Sequence, residues 1–378
     1  MEENLKISDG KPGKGGWPVL RVLAFCLILV LVLQMLSWVL MPRNYTQSGG
    51  MLNYRARGFY GETENSLDVI AIGNSDLSSA FSPMEIWEQY GMTAYACGEI
   101  KQQIDQAVQL LQEVLSCQKP KVVILEVDSL YQESMTGHVL SMLKTGIRHA
   151  FPVLEYHDRW KDIRLRDFLG REQEPWHDIY KGYYYSDDAV PYRGADYMEA
   201  NVETEQIDAV AIHFLDEFLK ICRQQEIEVV MVEMPSANSW NMGRHQAVAD
   251  YAQQQEVPFI DFNLNMQETG FDWLTDSRDG GNHLNYSGAS KISAWLGNYL
   301  KTHYELEDHR QDSSYGVWKN DLEEYKRGCR TTAPSPRLTS ILPACYNMNL
   351  KSVWIFREHC IHFSPRTREG AWLFLMFR

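Results

Sequence analysis

Basic residues are scarce in this chain. Its 378 residues hold 36 Lys and Arg against 50 Asp and Glu, which gives a formal net charge of −14 at pH 7. A protein that binds nucleic acid has to meet the phosphate backbone with a basic surface. The composition therefore argues against a nucleic-acid partner.

Metal-binding and disulfide patterns are missing as well. The seven cysteines stand at no spacing typical of a metal site. Three of them lie in the body of the chain and cannot all pair, which argues against a disulfide framework. We expect neither a metal nor an organic cofactor. The cysteines are Cys26 in an apolar run, Cys97, Cys117 and Cys222 in the body, and Cys329, Cys345 and Cys360 near the C-terminus.

Long uncharged runs are absent except for one near the N-terminus. Residues 22–41 carry no charge over 20 positions, about the length a helix needs to cross a bilayer. We interpret the run as a transmembrane helix that follows a short tail (1–21) and precedes a linker (42–65). A cleaved signal peptide is the alternative, but the run is longer than the usual apolar core of one and no small-residue cleavage pattern follows it.

Basic residues on the two sides of this run differ little in number. Four precede it (Lys6, Lys11, Lys14 and Arg21) and three follow it (Arg43, Arg55 and Arg57). The positive-inside rule then favours, by a small margin, a cell-membrane protein with its N-terminus inside and its body outside. Trp17 and Trp38 stand near the two ends of the run, where indole rings prefer the interface.

The C-terminal part of the chain reverses the charge. After a short extension (306–326), residues 327–378 hold eight Lys and Arg against two acidic residues, a net charge of +6. Our hypothesis is that this basic tail is not part of the evolved domain, for example out-of-frame read-through. A basic accessory segment is the alternative.

The middle of the chain alternates between β-rich and amphipathic helical runs. Five apolar runs predict strands, at residues 68–73, 92–97, 121–128, 227–234 and 257–262. Such alternation is typical of a parallel sheet covered on both faces. The sequence thus predicts a three-layer, flavodoxin-like α/β domain at 66–305. Residues 131–205 interrupt it with 12 aromatic residues in 75 positions, either as a cap over the site or as a separately packed excursion.

Ser75 stands where the first predicted strand ends, in "DVIAIGNSD". Ligand sites in parallel sheets lie at the carboxyl ends of strands, and a strand-to-helix turn can project a hydroxyl away from the sheet. A serine becomes a nucleophile only when a base takes its proton and a third group orients that base. Ser75 alone is a weak signal of such chemistry.

Asp279 and His283 could supply the base and its partner. They lie four residues apart in "DWLTDSRDGGNHLNYSGA", just before the last predicted helix. A glycine-rich loop can hold a carboxylate beside an imidazole. The alternative is that Asp279 caps a turn and His283 merely begins the helix.

These blocks resemble the SGNH/GDSL-type serine esterases, and within them the membrane-anchored branch related to D-alanyl-lipoteichoic acid transfer proteins and alginate-type O-acetyltransferase partners. The similarity covers about residues 60–305 and rests on "DVIAIGNSD", "AYACGEIKQQI", "KPKVVILEVDSLY" and "TDSRDGGNHLNYSGA". It implies a nucleophilic Ser75, a general base His283 and an orienting Asp279. It also implies that the amides of Ser75 and Gly98 bind the oxyanion, and that a membrane-bound O-acyltransferase is a partner.

Two features depart from that family pattern. The third block usually provides an asparagine to the oxyanion, whereas this chain has Glu126-Val127-Asp128. A lost oxyanion donor costs on the order of 3 kcal/mol of transition-state stabilisation. The spacing before His283 is one residue longer than usual, so Asp276 is an alternative to Asp279.

Two further groups of residues are candidates for substrate binding. His157, Arg159 and Trp160 stand together in "EYHDRWKD", which is either a binding cluster or a structural salt-bridged corner. Trp240 and Asn241 follow the fourth strand, where they line the pocket or, for Trp240, pack in the core.

The sequence as a whole predicts a serine-dependent acyl-ester hydrolase or O-acyltransferase. Its substrates would be an acyl donor and a cell-envelope glycan or polymer. A non-catalytic assembly or glycan-binding protein with the same fold is the main alternative, favoured by the missing asparagine. A cytoplasmic esterase with an inverted anchor is a third possibility.

Overall fold

The computed structural model of the protein describes residues 16–42, 53–132, 143–144, 146–148, 150–169, 176–200 and 202–330. Most of the predicted N-terminal tail, much of the linker and nearly all of the basic tail lie outside these residues. The predictions about them therefore stay predictions. Residues 327–330 of the basic tail are described, and they form the last turn of a helix.

Five parallel strands form one sheet at the centre of the domain. Their apolar residues, mostly Val, Ile and Ala, are buried on both faces, as expected for a sheet covered on both sides. Each strand overlaps a predicted run, so the α/β fold with a parallel sheet is confirmed. The strands are β1 (Val69–Gly73), β2 (Ala94–Gly98), β3 (Val122–Glu126), β4 (Glu228–Glu233) and β5 (Phe259–Asp261), in the order β2-β1-β3-β4-β5.

Helices cover both faces of the sheet, so the domain has three layers. One face packs against α2, α3 and α9, and the other against α4, α6 and α7. The described helices are α1 (Gly16–Leu40), α2 (Ser75–Ala80), α3 (Pro83–Tyr90), α4 (Ile104–Leu115), α5 (Val153–Tyr156), α6 (Ala209–Gln224), α7 (Met242–Gln255), α8 (Met266–Thr269), α9 (Tyr286–His303) and α10 (Gly316–Arg330).

Helix α1 is long and apolar enough to cross a membrane between Pro18 and Leu40. Its apolar side chains are exposed along most of its length. At its C-terminal end, however, Ser37, Val39 and Leu40 are buried against the segment around α5. The domain therefore packs directly onto the last turns of this helix.

Two described stretches of the aromatic insertion contact different parts of the chain. Residues 150–169 lie at the end of α1. Residues 176–200 pass along the outer edge of β2, where the amide of Ala96 donates to Lys181 O at 2.9 Å. They then reach the loop before α9, since the amide of Val190 donates to Ser277 O at 2.9 Å. This second part packs against the domain and is not a separate excursion.

One buried cation ties this second part to other segments. The fully buried Lys181 Nζ lies 2.7 Å from Glu62 Oε1 and 2.7 Å from Asp321 Oδ2. It also lies 4.6 Å from the ring centroid of Trp318 on α10. Lys181 thus joins the insertion to the end of the linker and to the C-terminal helix.

Replacing Lys181 by Met should destabilise the chain by about 3–5 kcal/mol, because Glu62 would lose its nearest cation and Asp321 would keep, among the described residues, only His177, at 2.7 Å. Denaturant unfolding of the full chain in detergent, followed by circular dichroism, measures this change. Lys161→Met is the control, since Lys161 pairs with Asp158 at an exposed position and should change stability little. Equal stability of the two variants would contradict the structural role of Lys181.

Candidate active site

Ser75 is the first residue of α2, and only Asn74 separates it from the end of β1. The side-chain oxygen of Asn74 caps this helix by accepting from the amide of Asp76 at 2.6 Å. A side chain at Gly73 would meet Glu126 Cβ at 2.4 Å, so only glycine fits at the end of β1. The short strand, the glycine and the asparagine cap together place Ser75 at the sheet's carboxyl edge.

Asp279 and His283 meet in a tight loop before α9. Asp279 Oδ1 accepts from the amide of His283 at 2.9 Å, and Asp279 Oδ2 lies 2.5 Å from His283 Nδ1. Between them, Gly280 and Gly281 have φ values of 84° and 120°, which residues other than glycine rarely adopt. Both glycine amides donate to Ser277 Oγ at 3.0 Å, which holds the loop in this shape.

The loop brings the imidazole to the hydroxyl. His283 Nε2 lies 2.9 Å from Ser75 Oγ, across 208 positions of sequence. Burial acts to raise the pKa of Asp279, but hydrogen bonds from His283 outweigh it and hold the pKa at about 2. An ionised Asp279 keeps the imidazole proton on Nδ1, so Nε2 can accept the serine proton.

Asp276, the alternative carboxylate, lies elsewhere. It is fully buried, with Oδ2 at 2.7 Å from Lys291 Nζ and 2.7 Å from the amide of Asp272. Its other oxygen accepts from Ser287 Oγ at 2.8 Å. Asp276 therefore anchors the start of α9, and Asp279 is the carboxylate beside the imidazole.

Gly98 packs against the helix that carries Ser75. A Cβ at this position would lie 2.8 Å from Asn74 O and 2.6 Å from Ser78 Cβ. Only glycine allows this close approach of β2 to α2. The predicted role of the Gly98 amide at the oxyanion stays a prediction.

A cluster of buried carboxyl groups lies next to Ser75. One oxygen each of Asp76, Glu126 and Asp128 lies within 4.8 Å of the others. Asn74 joins them, because its Nδ2 donates to Asp128 Oδ2 at 2.7 Å and its amide donates to Glu126 Oε2 at 3.0 Å. The sequence indicated Glu126 and Asp128 only as the place of a missing asparagine. Their grouping with Asp76 comes from the ends of β1 and β3, which are neighbours in the sheet.

Burial makes these carboxyl groups difficult to ionise. It raises the pKa of Asp76 and of Glu126 well above the ordinary values, and that of Asp128 to about 6. The nearest cation described is Arg244, with Nη1 at 3.6 Å from Asp128 Oδ1. Such oxygens are ligands that hard cations prefer. The raised pKa values also favour the protonated, neutral carboxyl groups. Asp76 Oδ1 lies 3.6 Å from His283 Nε2.

The cluster of His157, Arg159 and Trp160 lies at the end of α1. Arg159 Nη1 donates to the carbonyl oxygens of Leu40 and Met41 at 2.6 Å each, which satisfies carbonyls that a helix end leaves unpaired. His157 and Trp160 are exposed. Among the described residues, no contact joins these three to Ser75 or His283. This arrangement fits the structural corner rather than a binding cluster at the serine.

Trp240 and Asn241 also have structural contacts. Trp240 is buried in the core, and its Nε1 donates to Asp261 Oδ2 at 2.8 Å. Asn241 caps α7 by accepting from the amide of Arg244 at 3.0 Å. Trp240 therefore packs in the core instead of lining a pocket.

Two residues near the site were not predicted from the sequence. The side-chain amide of Asn282 lies 3.1 Å from His283 Nδ1. Tyr192, from the insertion, packs on Gly281 so closely that a side chain there would meet its ring at 2.6 Å. No sequence signal marked Tyr192, because its contact depends on where residues 176–200 cross the domain.

Comparisons with known proteins give distant structural similarities. No family model and no curated protein matches the chain. It is similar to a GDSL-like lipase from Bacteroides thetaiotaomicron (10% identity, 62% of this chain and 88% of that one, TM-score 0.32). It is also similar to a lipase/acylhydrolase from Enterococcus faecalis (9%, 64% and 99%, 0.35) and to a family 3 carbohydrate esterase from Clostridium thermocellum (13%, 64% and 96%, 0.33). Identities of this size leave function to be argued from the site's own geometry.

The raised pKa of Asp128 predicts a pH-dependent stability. The folded chain binds a proton more tightly here than the unfolded chain, so stability falls as the pH rises from about 4 to about 6. In Asp128→Asn this contribution is absent, and the variant should gain stability relative to wild type across that range. Thermal unfolding at several pH values measures the difference. The exposed Asp158→Asn is the control, and a similar gain in that variant would refute the assignment.

Proposed function

We propose that the chain is an SGNH-type serine enzyme that hydrolyses or transfers an acyl ester on a cell-envelope glycan or polymer. The observation that supports it best is the continuous contact from Ser75 Oγ through His283 to Asp279. A hydroxyl, an imidazole and a carboxylate in this order are what acyl transfer through a serine requires.

The chemistry proceeds in two halves. His283 Nε2 takes the proton of Ser75 as its Oγ attacks the ester carbonyl, and the tetrahedral oxyanion is bound by the amides of Ser75 and Gly98. His283 then gives this proton to the leaving alcohol, and an acyl-serine remains. Water or a glycan hydroxyl attacks the acyl-serine, with His283 again taking a proton and returning it to Ser75 Oγ. Ionised Asp279 stabilises the imidazolium in both halves.

The proposed place of this reaction is the outer side of the cell membrane. Helix α1 supports an anchor, since it is long enough to span a bilayer. The membrane-anchored branch of the resemblance suggests a membrane-bound O-acyltransferase that supplies the acyl donor, as in the D-alanyl-lipoteichoic acid and alginate systems. The direction in which α1 crosses the membrane is part of this proposal.

A non-catalytic glycan-binding or assembly protein is the second candidate. One observation favours it, namely that buried carboxyl groups occupy the place where the family has a neutral asparagine amide. Ionised carboxylates there would repel an oxyanion. The labelling experiment below separates the two functions.

A fluorophosphonate probe should label Ser75 in the full-length protein, because such probes react only with a serine whose proton has a base to go to. Labelling should be lost in Ser75→Ala and strongly reduced in His283→Ala. Ser78→Ala is the matched control. Its hydroxyl lies on the same helix but donates to Ser75 O instead of contacting His283. Absence of labelling in the folded wild-type protein would favour the non-catalytic candidate.

Two aspartate variants should separate catalytic from structural carboxylates. Asp279→Asn should lower kcat on an activated acetyl ester by about 10²–10⁴-fold, because the imidazole loses its orienting anion. Asp276→Asn should instead lower stability by about 1–3 kcal/mol, with kcat near that of wild type, because it leaves buried donors without an acceptor. Initial rates and thermal unfolding of both variants provide the comparison. The reverse pattern would assign the catalytic role to Asp276.

A further inference from the structure

We infer that residues 150–169, here called the collar, lie in the membrane–water interface and seat the domain on the lipid surface. The inference rests on α1 being the membrane span of the proposed function. It adds a second contact with the membrane that the span alone does not require. The collar contains α5 and two short 3₁₀ turns, His157–Asp162 and Leu165–Phe168.

The depth of the collar follows from its bonds to α1. Gln34 Nε2 donates to Ala150 O at 2.9 Å, and Ser37 Oγ accepts from the amide of Val153 at 3.1 Å. Gln34 lies six residues before Leu40, which is about 9 Å along a helix axis. The collar therefore begins inside the end of the apolar run and not beyond it.

These bonds also fit a lipid environment. Gln34 and Ser37 carry the polar side chains that interrupt the apolar run between 22 and 41. In a bilayer, polar groups without partners are costly, so helices satisfy them internally or through neighbouring protein. The collar backbone provides both partners. Arg159 adds the last contact by binding the carbonyls of Leu40 and Met41.

The collar exposes six large apolar side chains among charged ones. Leu165 is 79% exposed, Leu169 78% and Trp160 64%. Leu154, Ile163 and Phe168 are exposed as well. Clusters of large exposed apolar side chains mark interaction surfaces. Apolar side chains with a tryptophan beside them are typical of segments that lie in the plane of the interface.

The charge of the collar is compatible with a lipid surface. It holds four Lys and Arg and four Asp and Glu, a net charge of zero, whereas the whole chain has −14. A neutral segment avoids the repulsion that the acidic remainder would meet at anionic lipids. Continuity with α1, rather than apolarity alone, favours lipid over a second copy of the chain or another protein.

The first test measures quenching by brominated lipid. The full chain is placed in nanodiscs whose lipids carry bromine on the acyl chains near the glycerol. Subtracting the emission of a Trp→Phe variant from that of wild type gives the emission of the replaced tryptophan. For Trp160→Phe we expect the difference emission to fall about twofold or more relative to ordinary lipid, since an indole at the interface contacts these chains. The same difference measured with Trp38→Phe gives the quenching of Trp38, which lies on α1.

The two tryptophans separate the possible outcomes. If both are quenched, the collar lies in the interface. If Trp38 is quenched and Trp160 is not, the collar inference is wrong while the span stands. If neither is quenched, the span and the inference both fail. An unquenched Trp160 in discs that hold two copies of the chain would indicate that a second copy covers the collar.

A second test uses a matched pair of exposed apolar residues. Leu165→Glu should weaken the contact with lipid, and backbone hydrogen exchange across 150–169 in nanodiscs should then become faster. Ile100→Glu is the control, because Ile100 is 77% exposed on the loop after β2. It should leave exchange in the collar unchanged. Equal exchange rates in wild type and both variants would overturn the inference.

Discussion

The contact between Ser75 Oγ and His283 Nε2 is the interaction on which the proposed chemistry depends. It joins the end of β1 to the loop before α9, and a parallel sheet makes it available because the carboxyl ends of all strands meet at one edge. Its precision comes from short-range features. Gly280 and Gly281 have positive φ values that fold the Asp279 loop back, and Ser277 Oγ accepts hydrogen bonds from both of their amides. Without this loop, the imidazole would lack both its orientation and its anion.

The site contains two kinds of carboxyl group whose pKa values shift in opposite directions. Hydrogen bonds from His283 outweigh burial at Asp279 and keep its pKa at about 2, whereas burial raises the pKa of Asp76, Glu126 and Asp128. In the proposed reaction, the Asp279 anion would stabilise an imidazolium at His283. The carboxyl groups that resist ionisation lie next to Ser75, the proposed nucleophile. Neutral carboxyls oppose the negative charge of an oxyanion less than carboxylates would.

The aromatic insertion contacts both helix α1 and the loop that carries Asp279. Its first part bonds to the end of α1, and its second part lies along β2 and reaches the Asp279 loop through Val190 and Tyr192. The buried Lys181 fixes this second part to α10 and to the linker. Large aromatic side chains suit this role, because they bridge segments that belong to no common strand or helix.

The sequence by itself determined the five strands, the apolar helix α1 and the candidate pair Ser75 and His283. Hydrophobic periodicity, apolar runs and a glycine-rich loop are local features, so they can be recognised in a single sequence. Tertiary structure decided the rest. It placed Asp279 rather than Asp276 beside His283. It also buried Trp240 in the core and placed His157, Arg159 and Trp160 at the end of α1. It also assembled the carboxyl cluster at the ends of β1 and β3. The contact of Asp279 with His283 depends on the conformation of the loop between them, and the other features depend on contacts between residues far apart in sequence. Composition and spacing encode neither.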